Sequence, residues 1–391
     1  MSAEQMRTLK CEYIWVDGVT PTSNIRSKTR VFRISEEDLG KLNDMMSEGK
    51  SPHEMIPVWG FDGSSTQQAS GDNSDCALRP ALVTPDPLRP GSLLVLCEVF
   101  STDLTPHDSN TRAVLRASML GTDLTTAPRI GFEQEYTIMK NGVDGPQETP
   151  VGWPSDGEPP PQGLYYCAVG TQNVSGRQVS EFHLDLCLSA GISVTGTNAE
   201  VMLGQWEYQV GGPDVNPLVS CDHLVLSRYL LHRASERFGV WVSLDPKPMA
   251  GDWNGSGLHS NFSTNAMRTP ETGMAEIEKA CNLLSENTEE HLSVYGDGIE
   301  RRLTGEHETA SYREFKYGVS DRGASVRIPW HVAQNGFGYL EDRRPNSNAD
   351  PYLVLNALIT TVCDKREDAE SVSLEEAKEI LSKQGKVIDD E

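Results

Sequence analysis

The sequence has few features of membrane, secreted or nucleic-acid-binding proteins. No apolar run approaches the roughly 18 residues that a membrane-spanning helix needs, and the opening residues MSAEQMRTLK contain no apolar core of a signal peptide. The 391 residues include 34 Lys and Arg against 57 Asp and Glu, a net charge of −23 that opposes binding to polyanions. We therefore expect a cytoplasmic protein that binds neither nucleic acid nor membranes.

The sequence also lacks the common cysteine and nucleotide motifs. Its eight cysteines lie 20 or more residues apart with no CxxC pair, which argues against a disulfide framework and against zinc on thiolates. It contains no GxxxxGK[ST], no strong GxGxxG and no kinase HRD and DFG pair. Any nucleotide site must therefore be of another type.

What is present divides the chain in two. Alternating apolar residues at 11–35 and an apolar run at 91–100 predict strands of a small β-rich N-terminal domain, residues 1–107. From 108 to 391, helical and strand patterns alternate, as is typical of an α+β domain. Polar residues 59–75 predict a functional loop, and Pro/Gly-rich residues 145–164 predict a loop inserted between core elements.

The larger domain shows five helical and six strand patterns. Predicted helices lie at 111–120, 217–238, 270–292, 352–364 and 374–384, several of them with capping residues at their ends. Predicted strands lie at 131–139, 179–187, 192–196, 240–244, 257–263 and 324–329.

The hexapeptide GFEQEY (131–136) places two glutamates at i and i+2 of a predicted strand. Side chains alternate along a strand, so Glu133 and Glu135 share one face, roughly 7 Å apart. Like charges so placed repel each other unless water, a cation or a proton lies between them. A solvated edge strand and a ligand site are both open from these residues alone.

Two later segments bear on this choice. Glu200 and Glu207 would lie on opposite faces of a straight strand, but a turn or bulge at Gly204 could bring them to the same side. His259 lies within DWNGSGLHSNFS (252–263), among small and hydrogen-bonding residues where backbone can approach a ligand closely. A structural histidine is the alternative.

Arginine is concentrated in one segment of this acidic chain. Between 301 and 344, seven arginines and Lys316 stand against six acidic residues, one of which is Glu341. Arginine makes bidentate contacts with carboxylates and phosphates, so the segment predicts anion recognition. Surface ion pairs are the alternative for Arg313, but they fit poorly for the arginines of DRGASVRIP (321–329), which flank small and apolar residues.

Five glutamates and one histidine, without thiolates, form a donor set that favours Mg²⁺ or Mn²⁺ over zinc. Two such ions could clamp both ends of a phosphoryl displacement. Beside an arginine-rich segment, the set predicts a metal-bound polyphosphate and a carboxylate substrate. The six residues are Glu133, Glu135, Glu200, Glu207, His259 and Glu341.

Seven segments, in register from about residue 11 to 364, resemble glutamine synthetase of the eukaryotic type. They are WGFDGSS, GFEQEY, NAEVMLGQWEYQ, DWNGSGLHSNFS, ERRLTGEHET, DRGASVRIP and GYLEDRRP. The chain departs from the family pattern at Leu203 (usually proline), Tyr317 (commonly tryptophan), Asp321 (usually asparagine) and Trp330 (commonly arginine). None of these departures removes a metal ligand or a catalytic residue of the family.

The resemblance implies a fold, a reaction and an assembly. Residues 1–107 would form a β-grasp-like domain, and residues 108–391 a catalytic domain with a curved, mainly antiparallel sheet backed by helices. The enzyme would ligate ammonia to the γ-carboxylate of L-glutamate through γ-glutamyl phosphate, with ATP as co-substrate and Mg²⁺ or Mn²⁺ as cofactor. It would be a homo-oligomer of two stacked pentamers, with active sites between adjacent subunits.

The resemblance also implies two metal ions in each active site. The first, beside glutamate, would be held by Glu135, Glu200 and Glu207. The second, beside the ATP phosphates, would be held by Glu133, His259 and Glu341.

The remaining roles also come from the resemblance. Arg302 would bind the α-carboxylate of glutamate, in a pocket shaped by Asn254 and Gly255. ATP would be contacted by Ser263, Arg322 and Arg327, and the transferring phosphoryl group by Arg343. Asp62, with Ser65 nearby, would bind ammonium and take its proton, and Glu308 would close over the acyl phosphate.

Two other functions are open at this point. One is a γ-glutamyl amide synthetase that uses another amine, and the intact Asp62 loop favours ammonia over it. The other is a structural homologue without catalysis, which should have lost metal ligands, whereas all six positions are present.

Overall fold

The computed structural model describes residues 5–143 and 145–365. They divide into two compact units, one formed by residues 5–117 with 186–191 and the other by residues 118–185 with 192–365. The predicted helix at 374–384 lies outside the described residues. Within these residues, no helix is both long and apolar enough to cross a membrane.

The first unit is built on a five-stranded sheet with the order β2-β1-β5-β4-β3, in which only the β1–β5 pair is parallel. Helix α1 follows β2 directly: the Ser35 side chain accepts a hydrogen bond from the Asp38 amide, and three acidic residues occupy its first turn. Tyr13, Leu42 and Leu78 are fully buried in the core of this unit. The elements are β1 (Met6–Val16), β2 (Ile25–Ser35), α1 (Glu36–Ser47), β3 (Trp59–Asp62), β4 (Asp75–Pro85), β5 (Ser92–Phe100) and α2 (Thr111–Leu120).

The second unit contains a nine-stranded sheet, with β12-β13-β14-β11-β6-β9-β8 in order and with β7 and β10 also paired to β6. All its pairs are antiparallel except β12–β13. The strands are β6 (Arg129–Gly142), β7 (Gly145–Pro150), β8 (Val194–Ala199), β9 (Gln205–Gly211), β10 (Trp241–Ser243), β11 (Leu258–Ser263), β12 (Tyr317–Val319), β13 (Val326–Ile328) and β14 (Leu340–Asp342).

Helices cover this sheet. Helix α4 packs on β6, β9 and β10, and α9 packs on α4, α5 and α6. The predicted bounds of α4 are confirmed because its ends are strongly marked: Asn216 caps the Leu218 amide, Pro217 opens the helix, and Gly239 closes it at φ 65°. The helices are α3 (Arg177–Ser189), α4 (Pro217–Phe238), α5 (Gly273–Glu286), α6 (Thr288–Val294), α7 (Ile299–Arg302), α8 (Trp330–Asn335) and α9 (Pro351–Val362).

The predicted strand at 179–187 is wrong, because these residues belong to helix α3. Phe182 and the three leucines that follow it (184, 186 and 188) occupy every second position, which is the apolar pattern of a strand. The buried positions instead follow the helical period and include polar Ser180 and His183 between Val179 and Leu186. The alternation therefore reflected residue type and not burial.

Three other predictions differ in detail. The predicted helix at 270–292 is two helices, α5 and α6, which meet at Asn287. The polar segment 59–75 begins with strand β3, and the Pro/Gly-rich segment 145–164 begins with strand β7. Both segments extend a sheet before they become loops, because pairing with a neighbouring strand satisfies backbone groups whatever the side chains are.

Candidate active site

Strand β6 carries GFEQEY at the centre of the larger sheet. The side chains of Phe132, Gln134 and Tyr136 are at most 1% exposed on the core face. Glu133 and Glu135 lie on the opposite face, as the alternation of a strand predicts. The edge-strand alternative is wrong, because β6 has β11 on one side and β9 on the other.

The register of the neighbouring strands brings further polar residues to this face. His259 of β11 lies directly opposite Glu133, and Glu207 of β9 lies directly opposite Glu135. Opposed side chains of an antiparallel pair have Cβ atoms roughly 5 Å apart, and opposed like charges destabilise the pair. The Glu135–Glu207 pair is therefore costly for the fold unless something offsets its charge.

Glu200 reaches the same place through a turn between β8 and β9. Gly204 lies in this turn with φ 92°, a backbone conformation that favours glycine, and the predicted turn is confirmed. The Glu200 carboxylate accepts hydrogen bonds from Asn198 Nδ2 at 2.9 Å and from the Val201 amide at 3.1 Å. These two bonds fix the carboxylate beside Glu207.

Glu135, Glu200 and Glu207 form a cluster of carboxylates, with one oxygen of each within 4.8 Å of the other two. Within the described part of the chain, no Lys or Arg forms an ion pair with Glu200 or Glu207. Burial, and then the charge of Glu135, raises the pKa of Glu200 to about 8. Burial and the surrounding glutamates also raise the pKa of Glu207 well above its ordinary value. An oxygen-only set that repels itself fits a divalent cation.

His259 lies between three carboxylates. Its Nδ1 is 3.4 Å from Glu133 Oε2 and 3.6 Å from Glu341 Oε1, and its Nε2 is 4.0 Å from Glu135 Oε1. Burial, followed by the charge of Arg343, lowers the pKa of His259 to about 4. The imidazole is therefore neutral at physiological pH, which is the form that binds metals.

Glu341 approaches this histidine with both of its oxygens held by arginines. Arg343 Nη1 donates to Oε1 at 2.5 Å, and Arg327 Nη1 donates to Oε2 at 3.0 Å. Potential ligand atoms of Glu133, His259 and Glu207, rather than Glu341, lie within 4.8 Å of one another. Glu133 and Glu341 therefore both lie near His259, but the three residues whose ligand atoms come together include Glu207 in place of the predicted Glu341, whose oxygens are held by two guanidinium groups.

Arg302 is a buried cation at the wall of the site. Its guanidinium donates to three backbone carbonyls at 3.1 to 3.3 Å, and no described carboxylate pairs with it. Burial lowers the pKa of Arg302 to about 10. A Cβ at Gly257 would overlap this guanidinium, and one at Gly255 would lie 2.7 Å from its Cγ. The glycines of DWNGSG therefore make room for a cation that lacks an anionic partner.

These residues surround a cavity of about 290 Å³ in the second unit. Thirteen of the sixteen predicted site residues line it: Glu133, Glu135, Glu200, Glu207, Asn254, Gly255, His259, Arg302, Glu308, Arg322, Arg327, Glu341 and Arg343. Tyr166, His307 and Thr309 also line it, and sequence reasoning did not single them out. His307 and Thr309 lie within the segment ERRLTGEHET, whereas Tyr166 carried no signal in the sequence.

Three predicted residues do not line this cavity. Ser263 lines a second, mainly apolar cavity of about 370 Å³ in the same unit, and its Oγ accepts a hydrogen bond from Arg268. Asp62 and Ser65 are exposed residues of the first unit. Hydrogen bonds from the hydroxyl and amide of Ser64 lower the pKa of Asp62, so this carboxylate is ionised.

Comparison with known proteins matches two domain families. Residues 8–102 match the family described as "Glutamine synthetase, beta-Grasp domain", and residues 108–293 match "Glutamine synthetase, catalytic domain". The chain is 50% identical over 368 residues to the glutamine synthetase of Streptomyces viridochromogenes, a match that covers 93% of this chain and 100% of the relative.

The chain belongs to the glutamine synthetase family. Its similarity extends to eukaryotes: it is 49% identical over 365 residues to the chloroplastic glutamine synthetase of Chlamydomonas reinhardtii, with 90% of each chain covered. It is 47% identical over 364 residues to the glutamine synthetase of Emericella nidulans, covering 93% of this chain and 95% of the relative. The predicted resemblance to this family and the β-grasp-like first domain are confirmed.

Membership of the glutamine synthetase family also confirms the predicted reaction class. The protein is a glutamate–ammonia ligase that makes glutamine at the expense of ATP, and the family uses divalent metal ions. The acidic clusters described above provide places where such ions could bind. Neither the amide synthetase for another amine nor the homologue without catalysis is favoured.

Glu308 lies in a loop that lines the cavity. His307 and Glu308 have φ angles of 51° and 64°, so two successive non-glycine residues are in the left-handed region. The Glu308 carboxylate pairs with Arg322, and its backbone carbonyl accepts a hydrogen bond from Arg343 Nη2 at 3.4 Å. The loop is therefore held against the basic wall of the cavity.

Proposed function

We propose that both steps of glutamine synthesis take place in the 290 Å³ cavity of the second unit. A γ-carboxylate oxygen of glutamate attacks the γ-phosphorus of ATP, and ADP leaves. The nitrogen of ammonia then attacks the acyl carbon, and phosphate leaves. One observation carries this proposal: a cluster of buried carboxylates, which form no ion pair with a Lys or Arg of the described residues, lies in the same cavity as the largely buried guanidinium groups of Arg302 and Arg343.

We propose Mg²⁺ or Mn²⁺ for the acidic part of the site. The oxygen-rich donor set and the neutral His259 imidazole fit such ions. Bound there, they supply neutralisation of the charge that moves during phosphoryl transfer. The residues that would hold the first ion are Glu135, Glu200 and Glu207, and those for the second are Glu133, His259 and Glu341.

Arg302 is proposed to bind the α-carboxylate of glutamate. The support is its burial without a carboxylate partner, since a buried cation gains most from an anion that desolvates with it. Asn254 Oδ1 is buried and accepts no hydrogen bond from the residues that the structure describes, so it offers an acceptor for the α-ammonium group. Gly255 lines the cavity and allows Arg302 to lie close to the backbone there.

The nucleotide is proposed to lie along the arginines and into the second cavity. Arg343 and Arg327 each have a buried Nε that finds no acceptor among the described residues, and both are suited to phosphoryl oxygens. Ser263 would contact the nucleotide where the apolar lining of the second cavity favours the base. Asn261 supports this direction, because it lines that cavity and donates to Glu133 Oε1 at 2.8 Å. Arg322 would contact ATP from the loop side.

Asp62 and Glu308 are proposed to act on the second step. The ionised Asp62 carboxylate, with Ser65 nearby, would bind ammonium and accept its proton. Glu308 would cover the acyl phosphate and exclude water from it.

We also propose a homo-oligomer of two stacked pentamers, with Asp62 and the metal ligands of one active site supplied by adjacent subunits, working in the cytoplasm. Particle mass tests the stoichiometry. Co-expression of Asp62→Ala with Glu135→Ala chains tests the shared site: mixed particles should regain glutamine formation that neither variant has alone. Failure to regain it would place both residues in one subunit. Cell fractionation tests the compartment.

The reaction itself is tested by incubating the protein with glutamate, ATP, Mg²⁺ and ammonium, and by quantifying glutamine and ADP. We expect equal amounts of the two products and no glutamine when ammonium or the divalent ion is omitted. A panel of amines tests the nucleophile. Turnover of methylamine or of a polyamine as fast as ammonium would contradict the choice of ammonia.

A further inference from the structure

Gln162 lies where three loops of the second unit meet. Its Oε1 accepts a hydrogen bond from the Asn254 amide at 2.6 Å, and its Nε2 is 3.2 Å from His307 Nδ1. The amide of the next residue, Gly163, donates to Val201 O at 2.7 Å, beside the turn that holds the carboxylate cluster. One side chain thus contacts both the amino-acid pocket and the loop of Glu308, and none of the roles above uses it.

The two contacts fix the orientation of the Gln162 amide. A backbone N–H can only donate, so the side-chain oxygen must face Asn254 and the NH₂ group must face His307. His307 Nδ1 then accepts, and the ring carries its proton on Nε2, which lies 3.6 Å from the exposed carboxylate of Asp252. A single orientation of the amide therefore satisfies both contacts of Gln162.

The segment that carries Gln162 is anchored in the core. Trp153 packs against Trp253 with ring centroids 4.8 Å apart, and its Nε1 donates to Leu203 O at 2.8 Å. Tyr165 is buried in the same cluster, and its hydroxyl donates to Pro160 O at 2.9 Å. Because the residues before and after Gln162 are held in this way, its side-chain amide has a fixed position beside the loop that carries Glu308.

The partner of this amide is a strained segment. His307 and Glu308 both have left-handed backbone angles without being glycine, a conformation that persists only where the surroundings impose it. His307 is held by Gln162, and Glu308 is held by Arg322 and Arg343. Without the Gln162 hydrogen bond, one of the contacts that hold the left-handed backbone at His307 is lost.

We propose that Gln162 is a positioning residue that couples the backbone of the amino-acid pocket at Asn254 to the loop carrying Glu308. This coupling rests on the proposed role of Glu308 as the group that covers the acyl phosphate. Without the bridge, water reaches the acyl carbon of γ-glutamyl phosphate and releases glutamate and phosphate. ATP is then consumed without formation of glutamine.

The test is the ratio of ADP to glutamine formed at saturating ammonium. Gln162→Met keeps the length of the side chain but loses both hydrogen bonds, and should raise this ratio from about 1 to about 2 or more. It should also raise the KM for glutamate several-fold, through the lost bond to Asn254. The matched control is Gln172→Met, an exposed glutamine of the same segment, which should leave both values unchanged.

His307→Leu removes the same hydrogen bond from the other side. It should raise the ratio without changing the KM for glutamate, and the double variant should show no higher ratio than the larger single effect. Effects that multiply in the double variant would contradict a shared contact. Hydrogen exchange of amides 304–311 should speed up in Gln162→Met with an unchanged melting temperature, and unchanged exchange would also contradict the proposal.

Glu308→Ala separates this inference from the role on which it rests. If Glu308→Ala does not raise the ratio, the covering role of Glu308 is wrong. If Glu308→Ala raises it while Gln162→Met and His307→Leu keep the wild-type ratio, Glu308 covers the intermediate without Gln162 and the coupling is wrong.

Discussion

Buried carboxylates of the second unit have pKa values shifted in opposite directions, as Asp342 on one side and Glu200 and Glu207 on the other show. Asp342 of β14 is fully buried, accepts hydrogen bonds from Arg344 Nε at 2.8 Å and Nη2 at 2.6 Å, and also accepts one from Tyr295. Burial alone would raise its pKa, but Arg344 brings the pKa of Asp342 below its ordinary value. Glu200 and Glu207 are similarly buried, and their pKa values are raised.

The opposite pKa shifts come from the charged partners of these carboxylates and not from how deeply they are buried. Asp342 has a cation built into the same strand end, so its charge contributes to the fold. Glu200 and Glu207 accept hydrogen bonds from side-chain amides but form no ion pair with a Lys or Arg of the described residues, so their ionised forms are unfavourable until a cation binds. Glu341, next to Asp342 on β14, points to the opposite face of the sheet and is also paired with arginines, Arg327 and Arg343. A buried carboxylate therefore indicates a ligand site only when its partners are counted.

The largest effect should come from breaking the compensated pair. Arg344→Met leaves Asp342 buried without its cation, which should lower the free energy of unfolding by about 3–5 kcal/mol. Denaturant unfolding followed by fluorescence measures this. The control is Arg301→Met, whose exposed pair with Asp245 at 3.0 Å should contribute no more than about 1 kcal/mol. Equal losses in the two variants would contradict the comparison.

Removing one charge from the uncompensated cluster should act differently on activity and stability. Glu207→Gln should lower glutamine formation about 100-fold or more, because one of the three proposed ligands of the first metal ion is lost. In EDTA the same variant should melt at a higher temperature than the wild type, since folding no longer has to protonate, or to bury as an anion, a carboxyl group opposite Glu135. Asp342→Asn is the matched change and should melt lower. A lower melting temperature for both would mean that Glu207 is already compensated.

Adding a divalent cation to the carboxylate cluster should stabilise the protein. Mg²⁺ at about 100 times its dissociation constant should add about 2.7 kcal/mol to the free energy of unfolding. A titration of melting temperature against Mg²⁺ measures this. The increase should be much smaller in Glu207→Gln and unchanged in Arg301→Met. An increase of the same size in Glu207→Gln would place the stabilising ion elsewhere.

A smaller effect should appear at acid pH. Burial lowers the pKa of His183 and of His291 to about 4, below the value of about 6.5 expected in the unfolded chain. The unfolded state then binds more protons, so stability is lost as the pH falls from about 6.5 toward 4. Asp342, with its lowered pKa, weakens the fold only below this range. The raised pKa values of Glu200 and Glu207 act in the opposite direction over this range, because there the folded state binds more protons. The histidine effect is therefore measured in the Glu200→Gln/Glu207→Gln double variant, whose melting temperature should fall from pH 8 to pH 5. A maximum at pH 5 in this variant would contradict the prediction.

Much of the site could be predicted because its motifs carry both chemistry and geometry. The alternation of GFEQEY gave the shared face of Glu133 and Glu135, and Gly204 gave the turn that brings in Glu200. The caps of α4 gave its bounds. The error at 179–187 has the opposite origin: buried Ser180 and His183 hide the helical period when apolar residues alone are followed.

Other parts of the site had no local signal. Gln162 and His307 are 145 residues apart, and their contact depends on loops that are held by the packing of Trp153 on Trp253. The role of Asp62 as proton acceptor, like the boundary near residue 107, stays a prediction. Neither follows from the residues that surround it in sequence.

The sequence by itself determined which groups are available: the acidic clusters, the arginine-rich segment, the glycines that allow close approach, and the family to which they belong. Only the tertiary structure decided which charges are compensated. Strand register places Glu207 opposite Glu135 and His259 opposite Glu133, whereas Arg344 folds back onto Asp342. The physical reason is that electrostatic free energy depends on distance and burial, and the sheet sets both through pairings far apart in the chain.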